Sequence, residues 1–162
     1  MQQNHTIGNF FDKNSKILIL GSFPSVKSRE QGFFYGHKQN RFWKVVSAVL
    51  ELPTPQNIDE KKKFLLSNNI ALWDVIATCD IKGSADSSIK DVIPNDINKI
   101  TNFCNINMIF TNGKTAYKLY SKYIFQKNNF KAVCLPSTSP ANARYSLQKL
   151  TEEWKIIKTF LK

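Results

Sequence analysis

Short apolar runs alternate along the chain with segments of helical spacing. The apolar runs are bounded by Gly, Pro or polar residues, which is typical of buried parallel strands. Between them, apolar residues recur at helical intervals, as in Phe42, Val45, Val46 and Val49. This alternation predicts an α/β fold, a three-layer α/β/α sandwich around a small four-stranded parallel sheet. The predicted strands are residues 16–20, 70–76, 106–111 and 131–135, and the predicted helices are residues 41–50, 57–67, 94–103, 113–125 and 144–161.

Two segments show neither pattern. Residues 1–15 are predicted to be a short polar lead-in to one domain that spans 1–162. Residues 78–95 are predicted to form a long loop, and loops of that length are usually functional. This loop, the loops 21–40 and 136–144, and Asn112 all follow predicted strands. We therefore expect them along one edge of the sheet, where α/β proteins bind ligands.

Charge favours a polyanionic partner. The chain has 23 Lys and Arg against 12 Asp and Glu, a net charge of +11. From Gly113 to the end, the only acidic residues are Glu152 and Glu153, whereas basic residues are frequent. A basic surplus on one part of a domain is typical of proteins that bind nucleic acid.

The cysteines and the N-terminus bear on class and location. Cys79, Cys104 and Cys134 are widely spaced and include no CxxC pair, which argues against a zinc ribbon or a four-cysteine iron–sulfur cluster. Their odd number favours a reducing compartment. The N-terminus lacks the pattern of a signal peptide, and no apolar run approaches membrane-spanning length. We expect a cytoplasmic monomer with no cofactor, no metal and no membrane segment.

The predicted edge combines aromatic rings, amides and hydroxyls with few carboxylates. Rings can stack on the face of a flat heteroaromatic ligand while an Asn amide recognises its edge. Hydroxyl and basic side chains suit phosphates, so a base flipped from a DNA duplex fits the set. Its main members are Phe23, Phe33, Phe34, Tyr35, His37, Asn40, Arg41 and Asn112.

Each candidate also has an ordinary structural explanation. Asn40 precedes a predicted helix and is suited to cap it. His37 could serve as a hydrogen-bonding loop residue, and Phe42 as a core residue. The segment 137–140, Ser-Thr-Ser-Pro, is also typical of a turn. The residues alone leave these alternatives open.

Several segments resemble, in order, the motif regions of the uracil-DNA glycosylase superfamily. They are residues 35–45 (YGHKQNRFWKV), 111–117 (TNGKTAY) and 135–144 (LPSTSPANAR). With 74–76 (DVI) and 83–87 (GSADS), the resemblance runs from about residue 16 to the end. The chain looks most similar to the hypoxanthine-DNA (deoxyinosine) glycosylase branch, which is related to the mismatch-specific uracil-DNA glycosylases.

The first motif departs from the mismatch-specific pattern. Those enzymes carry a catalytic Asn inside Gly-x-Asn-Pro, and here the tetrad is Gly-Ser-Phe-Pro, so Phe23 stands in the position of the Asn. In the hypoxanthine branch, the catalytic amide lies at the start of the following helix. By this resemblance it corresponds to Asn40.

The second motif departs as well. The usual His or Asn before Pro-Ser is replaced by Ser-Thr-Ser at 137–139. The position of the residue that wedges into the duplex falls at Ala141 or Asn142.

The resemblance implies a base-excision repair enzyme that hydrolyses the N-glycosidic bond of a deaminated base flipped from double-stranded DNA. The implied base is hypoxanthine first and uracil second, and the implied enzyme is a monofunctional glycosylase. It assigns catalysis to Asn40 and His37, and base binding to Phe23, Tyr35 and Asn112. DNA contacts are assigned to Ser22, Ser25, Ser137, Ser139, Ala141, Asn142 and Arg144.

Two other classes of function stay open. A DNA-binding domain of the same fold that lacks catalysis would bind DNA without forming abasic sites. An α/β enzyme acting on free nucleosides or nucleotides would not need the basic last third, and its binding would depend little on salt. Steep loss of affinity with salt is expected for DNA binding, because bound phosphates release counterions.

Overall fold

The computed structural model describes residues 2–162 and contains two sheets. The strands are β1 (Gln2–Asn4), β2 (Ile17–Gly21), β3 (Ile70–Asp74), β4 (Ile76–Asp80), β5 (Lys90–Pro94), β6 (Met108–Asn112) and β7 (Ala132–Leu135). The helices are α1 (Val26–Gln31), α2 (Phe42–Leu50), α3 (Ile58–Ser67), α4 (Asn98–Thr101), α5 (Lys114–Tyr120), α6 (Gln126–Asn128) and α7 (Leu147–Trp154).

The central sheet has four parallel strands in the order β3-β2-β6-β7. One of its two inner strands, β2, is buried at every position, as its unbroken apolar sequence predicts. Helices cover the sheet, with α2 packed on α7 through the rings of Phe42 and Trp154, whose centroids lie 5.8 Å apart. The predicted α/β fold with a four-stranded parallel sheet is therefore confirmed.

A second sheet, of three antiparallel strands in the order β1-β4-β5, was not predicted. The segment 1–15, predicted as a polar lead-in, supplies β1 and also bridges Phe10 to Leu72 of β3. The segment 78–95, predicted as a loop, is largely the β4–β5 hairpin. Both predictions were wrong because these short strands pair across a sheet with a solvated side and lack a run of apolar residues.

Element boundaries also differ from prediction at several places. The first predicted loop, 21–40, contains α1, which Ser25 caps by accepting a hydrogen bond from the Ser28 amide. The helix predicted over 94–103 is confined to α4. The last helix begins at Leu147 rather than 144 because Ser146 caps it, and it continues beyond α7 as a 3-10 helix over Lys155–Phe160.

No helix within residues 2–162 is long and apolar enough to cross a membrane. Buried apolar side chains from both sheets join one hydrophobic cluster, which runs from Ile7 through the parallel strands to Ile157. The segment before β2 is thus packed against the rest of the fold.

Candidate active site

A cavity of about 290 Å³ opens at the carboxyl ends of the parallel strands. Its walls come from the segment after β2, from Asp74 and Asn112 at the ends of β3 and β6, and from the segment 137–141 after β7. Ser84 and Asp86 of the β4–β5 connection complete the mouth. The volume lies near the lower end of small-molecule pockets, about 300–1,000 Å³, and suits one planar ligand.

Most residues predicted for the site meet at this cavity. The lining includes Ser22, Phe23, Ser25, Tyr35, His37, Asn40, Asn112, Ser137, Ser139 and Ala141. Asn142 and Arg144 are not part of the lining. Asn142 instead holds the loop, since its Nδ2 donates to the Ser137 carbonyl at 2.9 Å. Arg144 is exposed in the turn before α7.

Thr138 is the centre of a hydrogen-bond network that sequence reasoning missed. This residue is fully buried. Its Oγ1 donates to Asn40 Oδ1 at 2.8 Å and accepts from Asn112 Nδ2 at 2.9 Å. Its amide donates to Asn112 Oδ1 at 3.0 Å. Thr138 therefore ties the two proposed functional amides together, and nothing in Ser-Thr-Ser-Pro signals which hydroxyl points inward.

The network fixes which end of Asn40 is available. Oδ1 accepts hydrogen bonds from Thr138 and from the Phe42 amide, the latter at 2.9 Å, so both its lone pairs are engaged. Because the Phe42 amide needs an acceptor, this orientation of the side chain is determined. The Nδ2 group has no partner within residues 2–162. Asn40 thus holds the first amide of α2 with its oxygen and offers its nitrogen as a donor.

Arg41 holds the loop that carries Thr138. Its amide donates to the Thr138 carbonyl at 3.0 Å. Its guanidinium donates to the carbonyls of Ser139 at 2.9 Å, Asn142 at 3.0 Å and Tyr145. One side chain at the start of α2 therefore sets the position of the whole loop after β7.

Tyr35 adopts a left-handed backbone conformation, with φ of 53°, that points its ring onto Phe42. The two rings stack with centroids 4.0 Å apart and planes 17° apart. Its hydroxyl is buried, has no hydrogen bond of good geometry within residues 2–162, and lies close to the Asn112 side chain. Burial and the nearby charge of Asp74 raise the Tyr35 pKa, so the phenol stays protonated and can act as a donor.

A buried pair, His5 and Asp74, lies beside Tyr35. His5 Nε2 is 2.8 Å from Asp74 Oδ2, and each side chain is only 4% exposed. A Cβ on Gly21 would lie 2.4 Å from Asp74 Oδ1 and 3.2 Å from the Tyr35 hydroxyl, so a glycine is needed here. The sequence does not single out His5, because its position beside Asp74 depends on the pairing of β1 with β4, which are far apart along the chain.

Phe23 and His37 also line the cavity. Phe23 is 9% exposed, and its ring packs at 90° against His5 and beneath the Arg29 guanidinium. It therefore forms an apolar wall. His37 Nδ1 accepts from the Gln39 amide at 3.1 Å, which requires that this nitrogen carry no proton.

Comparison with known proteins identifies the family. Residues 9–161 match the model of the uracil DNA glycosylase superfamily, so the chain belongs to that superfamily, as its motifs predicted. It is 34% identical over 148 residues to a hypoxanthine DNA glycosylase of Methanosarcina acetivorans, covering 90% of this chain and 92% of the relative. It is 31% identical over 145 residues to a hypoxanthine DNA glycosylase of Methanosarcina barkeri, covering 88% and 90%.

The fold is shared with a solved structure. The solution NMR structure of a candidate uracil DNA glycosylase from Methanosarcina acetivorans has a TM-score of 0.83 to this chain and 31% sequence identity. The match covers 99% of both chains. The N-terminal segment and the β4–β5 connection thus fall within the aligned length.

Proposed function

We propose that this protein is a monofunctional DNA glycosylase that hydrolyses the N-glycosidic bond of a deaminated base, hypoxanthine first and uracil second. Family membership and the two hypoxanthine DNA glycosylase relatives support the reaction class. The cavity supports it independently, because it has the size for one flipped base and lies beside hydroxyl-bearing loops.

The observation that carries the choice of base is the set of free polar groups at the cavity floor. Hypoxanthine and uracil each present a carbonyl acceptor next to a ring N–H donor, whereas adenine and cytosine present an amino donor next to a ring nitrogen acceptor. Asp74 Oδ1 can accept from the ring N–H. The Tyr35 hydroxyl and the remaining Nδ2 hydrogen of Asn112 can donate to the carbonyl. The floor therefore complements the edge that deamination creates and disfavours adenine and cytosine at their ring nitrogen, while guanine and thymine, which carry the same carbonyl and N–H, must be excluded by other contacts.

Asn40 acts as a donor in the proposed mechanism. As the bond from C1′ to the base breaks, its electron pair moves onto the base and the sugar becomes oxocarbenium-like. A hydrogen bond from Asn40 Nδ2 to the departing base stabilises that charge, and Thr138 holds the donor in place before the reaction begins. An amide is not a base near neutral pH, so Asn40 does not deprotonate the water.

DNA contacts would surround this mouth. The hydroxyls of Ser22, Ser25, Ser137 and Ser139 lie along the lining and suit phosphates. Ala141 is the cavity-lining candidate for the wedge, while Asn142 and Arg144 would act from the adjoining loop. We further propose that the protein acts on duplex DNA as a monomer, which size-exclusion chromatography with and without a duplex would test.

The proposed function is tested with duplex oligonucleotides that carry a single deoxyinosine, deoxyuridine or unmodified deoxyadenosine, followed by alkali to cleave abasic sites. We expect cleavage at deoxyinosine above deoxyuridine and none at deoxyadenosine. Salt-sensitive binding without cleavage would instead support a binding domain that lacks catalysis. Turnover of free deoxyinosine with little salt dependence would support an enzyme of nucleotide metabolism.

A further inference from the structure

One carboxylate at the cavity mouth is unexplained by base recognition. Asp86 begins a short 3-10 helix, Asp86–Ser88, in the connection between β4 and β5. Its Oδ1 accepts a hydrogen bond from Ser22 Oγ at 3.1 Å. Ser22 follows β2 directly and precedes Phe23, which stands where mismatch-specific enzymes carry their catalytic Asn. The β4–β5 hairpin thus places the Asp86 carboxylate next to the first motif, in which the apolar Phe23 stands in the position of the Asn.

The two carboxylates that line the cavity, Asp74 and Asp86, differ in how deeply they are buried. Asp74 is 3% exposed at the floor and is paired with His5, whereas Asp86 is exposed at the mouth. A base whose edge rests on Asp74 leaves its deoxyribose at the mouth. Asp86 is therefore the lining carboxylate on the sugar side of the bound nucleotide.

A carboxylate in this position opposes the binding of a polyanion, so simple DNA affinity does not account for it. The other polar groups around the mouth are poor proton acceptors. Asn40 is an amide with its oxygen engaged, and the His37 Nδ1 already accepts from a backbone amide.

We propose that Asp86 is a catalytic residue that orients and deprotonates the water attacking C1′, an inference that rests on the proposed glycosylase function. As the bond from C1′ to N9 of hypoxanthine breaks, its electron pair leaves with the base, which takes up a proton from solvent. The water oxygen bonds to C1′ and gives one proton to the Asp86 carboxylate, which later releases it to solvent. The products are hypoxanthine and an abasic site.

The surroundings of Asp86 suit a proton acceptor. Partial desolvation and the charge of Asp74 raise the Asp86 pKa above its ordinary value, while hydrogen bonds from the Ser22 and Thr115 hydroxyls oppose the rise. A carboxylate with a raised pKa accepts a proton from water more readily than an ordinary carboxylate does. The groups acting on it come from the segment after β2, the end of β3 and α5.

The test compares Asp86→Asn with Asp91→Asn, which removes the same charge from the same hairpin outside the cavity. Asn at position 86 can still accept from Ser22, so a purely structural role predicts retained activity. We expect single-turnover excision of hypoxanthine to fall about 10²-fold or more in Asp86→Asn and to stay near wild type in Asp91→Asn. Affinity for a duplex with a tetrahydrofuran abasic analogue should stay equal or increase, because a negative charge near phosphate is lost.

Two further readouts separate catalysis from structure. The wild-type rate should fall as pH drops through the Asp86 pKa, and this acidic limb should be absent from the residual activity of Asp86→Asn. The melting temperature of Asp86→Asn should be unchanged or higher. An acid whose folded pKa exceeds its unfolded pKa costs stability when ionised, so removing the charge relieves that cost at neutral pH.

An Asp86→Asn rate within about threefold of wild type would overturn the catalytic assignment and leave the glycosylase function standing. A wild-type protein that releases no base from deoxyinosine or deoxyuridine duplexes would overturn both. The two failures are therefore distinguishable in one experiment.

Discussion

Replacing Thr138 by valine removes one hydroxyl from the centre of the active-site network and keeps the shape of the side chain. The lost bonds are those to Asn40 Oδ1 at 2.8 Å and from Asn112 Nδ2 at 2.9 Å. The backbone bonds of residue 138 to Asn112 and Arg41 are retained, so the loop after β7 should keep its path.

The expected cost follows from which groups lose their partners. Asn40 Oδ1 keeps the Phe42 amide, whereas one Asn112 N–H is left without an acceptor in a half-buried position. One such unsatisfied group costs about 1–3 kcal/mol of unfolding free energy. The melting temperature should fall by about 2–4 °C for each kcal/mol in a chain of this size. Excision should fall further, by about 10²-fold, because Asn40 is then free to leave its productive orientation.

The assay is single-turnover excision from a deoxyinosine duplex, measured beside thermal unfolding, with Thr138→Ser as the matched control. Serine keeps the hydroxyl and loses only a methyl group, so its excision rate should stay close to wild type. Equal rates for Thr138→Val and Thr138→Ser would show that the bridge between the two amides does not position Asn40.

Three further substitutions test the remaining parts of the site. Asn40→Ala should lower excision by about 10²–10³-fold, the usual effect of losing a positioned donor, while affinity for an abasic-analogue duplex is retained; unchanged turnover would move catalysis elsewhere. His5→Phe should reduce the preference for deoxyinosine over 1-methyldeoxyinosine, which lacks the ring N–H, because Asp74 loses its partner. His5→Gln keeps a hydrogen-bond donor and should restore part of that preference. Equal ratios of the two excision rates in both variants would contradict the role of His5 in holding Asp74. Gly21→Ala should lower both the excision rate and the free energy of unfolding, the latter by about 1–3 kcal/mol, since its Cβ would lie 2.4 Å from Asp74 Oδ1. A fully active, equally stable variant would show that position 21 has room for a side chain.

The parallel sheet could be predicted because its strands carry their own signal. Ile17–Gly21 is apolar throughout and ends at a glycine, which identifies both the strand and the edge where ligands bind. The placement of Asn112 and Asn40 at the cavity could be predicted, since one follows a strand and the other opens a helix after an aromatic loop. Local sequence is enough for positions of this kind.

The missed residues depend on contacts between distant parts of the chain. His5 reaches Asp74 only because β1 pairs with β4, more than seventy residues away in sequence. The Thr138 hydroxyl points inward because of contacts with Asn112 and the Arg41 amide, and the local sequence Ser-Thr-Ser does not reveal this. Asp86 lies in a segment predicted to share an edge of the sheet with Ser22, but no signal in the sequence pairs the two side chains.

The most direct measurement is the identity and amount of the base released from a deoxyinosine duplex, followed by chromatography and mass spectrometry for the wild-type protein and Asn40→Ala. We expect the wild type to release free hypoxanthine in equal amount to the abasic sites formed, and Asn40→Ala to release little over the same time. Strand cleavage without free hypoxanthine, or equal release by both proteins, would contradict a glycosylase whose donor is Asn40.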